Sequence, residues 1–203
     1  MIVWGKRGAF GAVGHAACQL TVSTEYLDIE TNWPTGCGGS AIDTAAARVS
    51  LGSMAELRLE DLSASNIVAA NSLSLKPGQE QFIAPVTYSA ESSVVDPATA
   101  WQRVALLDDR VVGFIHGNFD PENEHEEFRA CIWRINVDAE VQGKGVGRFL
   151  ATALAEEAKR RGFDRITVLW EPGEEGPEAF FHRIGFTDIG ETAYGDVIGA
   201  LAL

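Results

Sequence analysis

The chain has 203 residues, of which 46% are apolar, and a formal net charge of −13. A domain of this length can bury a sizeable core without disulfides or metals, and its acidity argues against a general nucleic-acid binder, which needs a basic face. No apolar run reaches the ~18–20 residues of a membrane span, and three scattered cysteines suggest neither a disulfide framework nor a zinc site. We therefore expect a cytoplasmic protein with reduced thiols, no membrane association and no nucleic-acid partner.

Residues 1–53 differ from the rest of the chain in composition and in sequence pattern. They contain eight glycines and no sustained helical or strand period. From Met54 onwards, alternating and amphipathic segments begin. We predict an N-terminal extension over residues 1–53, either poorly ordered or upstream of the true start at Met54, and one domain over residues 54–203.

The first elements of the domain alternate between strand and helix. "ELRLEDL" predicts a strand, and Ser63 or Ser65 can cap a helix that runs to about Ser72. Pro77 and Pro85 bracket a short second helix. Residues 101–119 then predict two strands joined by a tight turn at Asp108–Asp109, which forms a hairpin.

The second half of the domain predicts a strand–helix–strand crossover. "FRACIWRINVD" is the strongest strand, with Cys131, Trp133, Ile135 and Val137 expected on one face. A helix follows from about Gly145 to Arg161 and ends at Gly162. "DRITVLWE" is apolar throughout, as in a buried parallel strand. A short helix from Pro177 to Gly185 and one or two closing strands complete a mixed α/β arrangement.

The stretch "VQGKGVGRFL" carries the clearest chemical signal. Strand, "QGKGVG" and helix place several free backbone N–H groups at a helix N-terminus, where an anion such as a pyrophosphate can bind. Lys144 and Arg148 add positive charge. A dinucleotide fold would need its glycines after the first strand, and a P-loop would need a following Lys-Ser or Lys-Thr. A plain tight turn is the remaining alternative, which would leave the surrounding glutamine and basic residues unexplained.

These residues resemble the GNAT N-acetyltransferase superfamily. "QGKGVG" matches its Q/R-x-x-G-x-G/A signature, "RITVLW" its following strand and "FFHRIGF" its late helix. The resemblance covers residues 54–203. It implies a mixed, mostly antiparallel sheet with a central splayed pair of parallel strands, flanked by helices. "LSLKPGQEQFIAP" and "GETAYGDVIGALAL" are also similar to a branch that includes spermine/spermidine acetyltransferases.

The resemblance implies acetyl-CoA as co-substrate and no metal. The strand before the glycines would pair with the pantetheine arm through Ile135, Asn136 and Val137. The N–H groups of the turn would hold the pyrophosphate. These turn residues are Gln142, Gly143, Lys144, Gly145, Val146, Gly147 and Arg148.

In such enzymes a deprotonated amine attacks the thioester directly, so no enzyme nucleophile is needed and Cys131 is expected to be a buried strand residue. The family usually has a tyrosine four residues before the glycine of "GF" to protonate the departing thiolate, and here that residue is Phe181. Tyr194, His182 or water could replace it, or the thiolate could leave unassisted. Glu171, just past the "ITVLW" strand, is the candidate base, although it can equally be a loop carboxylate.

The acceptor is expected to be a small-molecule amine, with a polyamine as the first guess. Gln79 and Phe82 fall where superfamily members line the acceptor pocket, Trp133 could form a wall of the core or the cleft, and Asp196 could hold a cationic amine or serve a turn. Dimers are common in the superfamily, so a homodimer is the first expectation. The alternative function is a degenerate domain that binds acyl-CoA as a sensor or scaffold without turnover.

Overall fold

The computed structural model describes residues 49–50, 56–79, 82, 98–174 and 176–203. Its strands form one eight-stranded sheet in the spatial order β1-β2-β3-β4-β5-β6-β8-β7. The strands are β1 Val49–Ser50, β2 Glu56–Asp61, β3 Ala100–Leu107, β4 Arg110–Phe119, β5 Ala130–Val137, β6 Arg165–Trp170, β7 Thr187–Glu191 and β8 Val197–Ala202. The helices are α1 Ile67–Asn71, α2 Val146–Arg160 and α3 Glu178–Arg183, with short 3-10 turns at Glu126–Phe128 and Ala139–Val141.

The direction of the strands confirms the predicted mixed sheet. Neighbouring strands run antiparallel at every pairing except one. Strands β5 and β6 run parallel, and helix α2 connects them along the chain. The main hydrophobic core lies between the sheet and helices α2 and α3, and a smaller cluster under α1 covers the opposite face. The fold is therefore the flanked sheet with one central parallel pair that the sequence predicts.

The hairpin between β3 and β4 is confirmed at its predicted turn. Asp108 and Asp109 have φ values of 48° and 71°, as a two-residue hairpin turn requires. The Asp109 carboxylate accepts a hydrogen bond from the Arg58 guanidinium at 2.5 Å, which ties the turn to β2.

The start of α1 differs from the prediction. Asn66, and neither Ser63 nor Ser65, is the N-cap residue. The Asn66 side chain accepts from the Ser63 N–H at 2.8 Å and donates to the Asp61 carbonyl at 2.9 Å, while the two serine hydroxyls bond each other at 2.8 Å. The serines thus serve the turn before the helix. The short helix predicted between Pro77 and Pro85 lies largely outside the described residues.

A β-bulge interrupts β5 at Trp133. His116 of β4 pairs with Arg134, and the next residue, Gly117, pairs with Ile132, so Trp133 is the extra residue of the bulged strand. The bulge begins where the parallel pairing with β6 ends, because the last β5–β6 register partners are Ile132 and Val168.

The bulge also makes one sequence-based prediction wrong. Cys131, Trp133, Ile135 and Val137 do not share a face, because the extra residue reverses the alternation of side chains. Ile132, Ile135 and Val137 pack in the main core instead, and Cys131 points to the opposite face.

Helix α2 lies close against β4 because two residues of that strand lack side chains. A Cβ atom at Gly117 would be 2.5 Å from Cδ1 of Leu154, and one at Gly113 would be 2.8 Å from Cδ1 of Leu150. This close approach fixes the helix axis on the sheet, so the N-terminus of α2 is held beside the end of β5.

The predicted domain boundary falls where most residues are not described. Residues 1–48 and 51–55 lie outside the described part of the chain, and the Val49–Ser50 backbone pairs antiparallel with β2. The boundary between residues 53 and 54 therefore stays a prediction.

Candidate functional site

The central parallel strands separate towards their carboxyl ends. Beyond Ile132 and Val168 the two strands have no further register partners with each other, although β6 continues to pair with β8 as far as Trp170 and Val197. The described sheet therefore opens between residues 133–137 of β5 and the last two residues of β6. Ile135, Asn136 and Val137, which the resemblance assigns to a pantetheine arm, lie along this opening.

The glycine turn lies directly after that stretch of β5. Gly143 and Gly145 have φ values of +83° and +93°, and Gly145 is the N-cap residue of α2. A Cβ atom at either position would meet nothing within 4 Å, so the space over the turn is open. The first described hydrogen bond of the helix runs from the Phe149 N–H to the Gly145 carbonyl at 2.9 Å. The N–H groups of residues 145–148 precede it and are available to an anion.

The Gln142 side chain holds the turn to the end of β5. Its amide nitrogen donates to the Val137 carbonyl at 3.0 Å and to the Gln79 side-chain oxygen at 2.8 Å. The Gln79 amide donates back to Gln142 at 3.3 Å. Gln79, predicted to line an acceptor pocket, thus lies beside the glycine turn. Lys144 and Arg148 are exposed there, so the turn combines free N–H groups, open space and positive charge. These residues fit a bound pyrophosphate.

A line of aromatic rings connects the glycine turn with the end of β6. A Cβ atom at Gly147 would be 3.0 Å from the Phe180 ring, which packs edge-to-face on Phe181 with a centroid separation of 5.1 Å. Phe181 in turn stacks on Trp170 at 5.4 Å and 14°. Phe181 is fully buried. Its place in this stack accounts for an aromatic ring at the position, but the ring carries no hydroxyl.

The candidate acid and base lie at the open end of the sheet. Trp170 and Val197 are the last register partners of β6 and β8, and Glu171 and Asp196 adjoin this pair along the chain. Glu171 is half-buried, and Tyr194 is 54% exposed in the turn between β7 and β8. The Asp196 N–H donates to the Thr192 hydroxyl at 3.1 Å, so this residue also shapes the turn.

The two predicted aromatic acceptor residues lie in different places. Phe82 packs against Gly173, where a Cβ atom would be 3.2 Å from Cζ of Phe82, so its ring adjoins the loop after Glu171. The Trp133 ring lies at the bulge, 5.8 Å from Phe128 and 6.4 Å from His116 between centroids. The structure therefore places Phe82 at the loop that carries Glu171 and the Trp133 ring at the bulge in β5.

The sequence analysis missed a buried polar group on the face of the sheet opposite α2. Arg134 and Asn136 are each 4% exposed, and the Arg134 Nε donates to the Asn136 side-chain oxygen at 3.4 Å. Burial lowers the pKa of Arg134 to about 10. Burial, with the nearby Arg134 charge, lowers the pKa of His116 to about 4, so this imidazole is neutral at pH 7. In the sequence, Arg134 and Asn136 are the two polar residues of the otherwise apolar "CIWRINV", and this pattern could have predicted a buried polar group.

Cys131 is buried, as expected, and burial raises the pKa of its thiol to about 12. A thiol in this state is a poor nucleophile. Separately, Glu178, His182 and Asp188 place potential ligand atoms within 4.8 Å of one another on the exposed surface. His182 and Asp188 share a hydrogen bond of 2.7 Å, which raises the pKa of His182.

Comparison with known proteins identifies the family of the chain. A sequence profile of the Acetyltransferase (GNAT) family matches residues 68–186. The chain belongs to the GNAT acetyltransferase family. The matched segment extends from α1 through the glycine turn to the end of the "IGF" motif, and family membership indicates acetyl transfer from acetyl-CoA to an amine. A search of curated proteins finds no match.

Solved GNAT structures share the fold at low sequence identity. The GNAT domain of S. lividans PAT has a TM-score of 0.62 at 16% identity, over 81% of this chain and 100% of that one. Ribosomal-protein-S18-alanine N-acetyltransferase from Escherichia coli has a TM-score of 0.53 at 17% identity, over 72% and 93%. An aminoglycoside 6′-N-acetyltransferase complexed with coenzyme A has a TM-score of 0.54 at 17% identity, over 71% and 96%. At these identities the likeness shows the fold.

Within the described residues, no helix is long and apolar enough to span a membrane.

Proposed function

We propose that this GNAT domain transfers the acetyl group of acetyl-CoA to a primary amine of a small molecule, with a polyamine as the first candidate acceptor. The observation that carries the proposal is the open glycine turn at the N-terminus of α2, directly beside the gap between β5 and β6. In this arrangement an anion-binding helix end and a strand edge meet at one place.

The pyrophosphate of acetyl-CoA binds at the turn from Gln142 to Arg148 through the N–H groups of residues 145–148, with Lys144 and Arg148 as additional charges. The N–H groups of Gln142 and Lys144, which the resemblance also implied, already donate to the carbonyls of Asp138 and Val141 at 3.1 and 3.2 Å. The β5 edge from Ile135 to Val137 binds the pantetheine arm. Acetyl-CoA supplies an acetyl group activated as a thioester, which a neutral amine can attack directly in a ternary complex. Glu171 accepts the proton of the amine, directly or through water, and Tyr194 is the candidate acid.

The charges near the opening bear on the acceptor. Glu171 and Asp196 each adjoin the last β6–β8 register pair, Trp170 and Val197, and two carboxylates at this end of the strands favour a cationic amine such as a polyamine. Gln79, Phe82 and Trp133 complete the proposed acceptor set. A panel of acceptors must therefore contain polyamines beside other classes of amine. Under this proposal the protein works in the cytoplasm, as a homodimer.

Phe181 favours a second candidate function, a domain that binds acyl-CoA as a sensor or scaffold without turnover. The ring is fully buried in the aromatic stack, at the position where the resemblance implies a tyrosine hydroxyl. A domain that has lost its acid could keep its affinity for the cofactor while losing catalysis.

A thiol-release assay separates the two functions. The protein is incubated with acetyl-CoA and, one at a time, polyamines, diamines, free amino acids, an aminoglycoside and a peptide with a free N-terminus. We expect amine-dependent release of CoA above the rate of hydrolysis without amine, and the acetylated amine in equal amount by mass spectrometry. Saturable acetyl-CoA binding without turnover on any class of amine would contradict the enzyme and support the sensor.

A further inference from the structure

A tight turn of residues 76–79, which we call the Gln79 turn, follows α1. The Gln79 N–H donates to the Lys76 carbonyl at 3.0 Å, as in a β-turn. Gly78 has a φ of +88°, which the third residue of a type II turn requires, and Pro77 fits the second position. The Gln79 side-chain oxygen also accepts from the Lys76 N–H at 3.2 Å, so this side chain is held against its own turn.

Two groups of hydrogen bonds hold the Gln79 turn to the chain between β5 and α2. The Ser74 N–H and hydroxyl donate to the Asp138 carboxylate at 3.2 and 3.1 Å. The Ala139 N–H donates back to the Ser74 carbonyl at 3.0 Å. Further along, the Gln79 and Gln142 side chains exchange the two amide hydrogen bonds described above, at 2.8 and 3.3 Å. The Gln79 turn therefore lies against the chain that leads directly into the glycine turn.

Phe82 connects the Gln79 turn with the other side of the opening between β5 and β6. Its N–H donates to the Gln79 carbonyl at 3.1 Å. Its ring lies against Gly173, where a Cβ atom would be 3.2 Å from Cζ, in the loop that carries Glu171. Gln79 thus contacts the chain that leaves β5, and Phe82 contacts the chain that leaves β6. These contacts form one continuous path from the glycine turn to the loop of the candidate base.

The hydrogen bonds of Gln79 define its role within the proposed acceptor set. Its side-chain oxygen accepts from Lys76 and Gln142, which uses both lone pairs, and its nitrogen donates to Gln142. Both N–H groups of the Gln142 amide are engaged as well, with Gln79 and with the Val137 carbonyl. The two amides therefore serve to join the Gln79 turn to the glycine turn.

We propose that Gln79 is a positioning residue, which couples occupation of the glycine turn by the cofactor to the placement of Phe82 against the loop of Glu171. This inference rests on the proposed acetyl-CoA site. A bound pyrophosphate fixes the glycine turn and with it Gln142, and the amide pair then holds Gln79 and Phe82 in one position. Gln79 itself contacts neither the cofactor nor the amine. Because such a coupling is reciprocal, the amine binds more tightly when the cofactor is present.

Hydrogen exchange of the Phe82 N–H, measured by NMR on the intact protein with and without saturating CoA, tests this coupling. Wild type is compared with Gln79→Leu, which removes all three side-chain hydrogen bonds, and with Gln79→Glu. The glutamate is the conservative variant, because it keeps the oxygen that accepts from Lys76 and Gln142 and loses only the 3.3 Å donation. Gln102→Leu is the matched control, since Gln102 is also half-buried but lies in β3, with β4 between it and β5.

We expect CoA to slow this exchange about three- to tenfold in wild type, Gln79→Glu and Gln102→Leu, as the net free energy of one hydrogen bond implies. In Gln79→Leu the slowing falls below about twofold although CoA still binds. Equal slowing in wild type and Gln79→Leu, or no slowing in wild type with CoA bound, would overturn the role of Gln79 and leave the proposed function standing. Absence of CoA binding to wild type would overturn both.

Steady-state kinetics give a second readout, with the amine of the panel that wild type acetylates fastest. We expect Gln79→Leu to lower kcat/KM for this amine about tenfold, while its affinity for acetyl-CoA changes less than about threefold, and Gln79→Glu to restore most of the loss. A merely structural role of Gln79 would weaken the binding of acetyl-CoA and of the amine alike. Equal losses for the two substrates would therefore contradict the coupling.

Discussion

Phe181 illustrates how far single residues could be interpreted from the sequence. The "IGF" motif placed this residue four positions before Gly185, and its lack of a hydroxyl was evident at once. The burial of the Trp170 indole was not evident from the sequence. The orientation of this ring depends on Gly199, 29 residues further along the chain, whose missing side chain leaves room for the six-membered ring. Long-range contacts of this kind follow from the folded sheet and leave no local pattern.

The His182–Asp188 pair gives a prediction about protonation. The hydrogen bond that the His182 ring donates to the Asp188 carboxylate raises the pKa of His182 above 6.5, and we expect Asp188→Asn to return it towards 6.5. Because the folded-state value is the raised one, the pair stabilises the fold below about pH 6.5, and its contribution is lost as the pH rises through the folded-state pKa. Titration of the His182 ring by NMR in both proteins measures the shift.

Two outcomes of this titration are informative. A midpoint of His182 above 6.5 in wild type that falls in Asp188→Asn supports the pair as described. The same midpoint in both proteins would show that the 2.7 Å contact is not maintained in solution.

At the scale of elements, the strands and helices were predictable where one pattern dominates. Helix α2, strand β6 and the β3–β4 hairpin follow from helical spacing, an apolar run and a two-residue turn. The bulge in β5 was not predicted, because Trp133 continues an alternating pattern that looks regular in sequence. The bulge inserts one residue into β5 at the point where the opening between β5 and β6 begins. The sequence pattern therefore did not predict the feature that marks the start of this opening.

The packing of α2 on β4 gives a prediction about stability. We expect Gly117→Val to lower the free energy of unfolding by about 1–3 kcal/mol, because the added methyl groups overlap the Leu154 side chain. Gly190→Val in the exposed strand β7 is the control, since the nearest atom to its Cβ would be Ile198 Cδ1 at 4.0 Å. Urea denaturation measures both variants. Equal stabilities for the two variants would contradict the close packing of α2 on the strand.

At the scale of the whole molecule, the glycine turn and the strand gap act as one unit because α2 connects them. Close packing on β4 fixes the helix, Gln142 ties the turn to Val137, and the aromatic stack extends from the first turn of α2 to the end of β6. The proposed cofactor end of this unit follows from a local motif in the sequence. The proposed acceptor residues come from separate strands and loops, so their arrangement could not be deduced beforehand, and neither could the burial of Arg134.

Calorimetric titration with acetyl-CoA tests the central claim most directly, when wild type is compared with Gly145→Leu and Gly162→Leu. Both glycines have positive φ, at +93° and +88°, and open space around them, but they flank opposite ends of α2. The backbone strain of the two substitutions is therefore matched. We predict saturable one-site binding to wild type and Gly162→Leu, and a loss of about 100-fold or more in affinity for Gly145→Leu, because the side chain fills the space for the pyrophosphate. Equal affinity in the two variants, or no binding to wild type, would contradict the account.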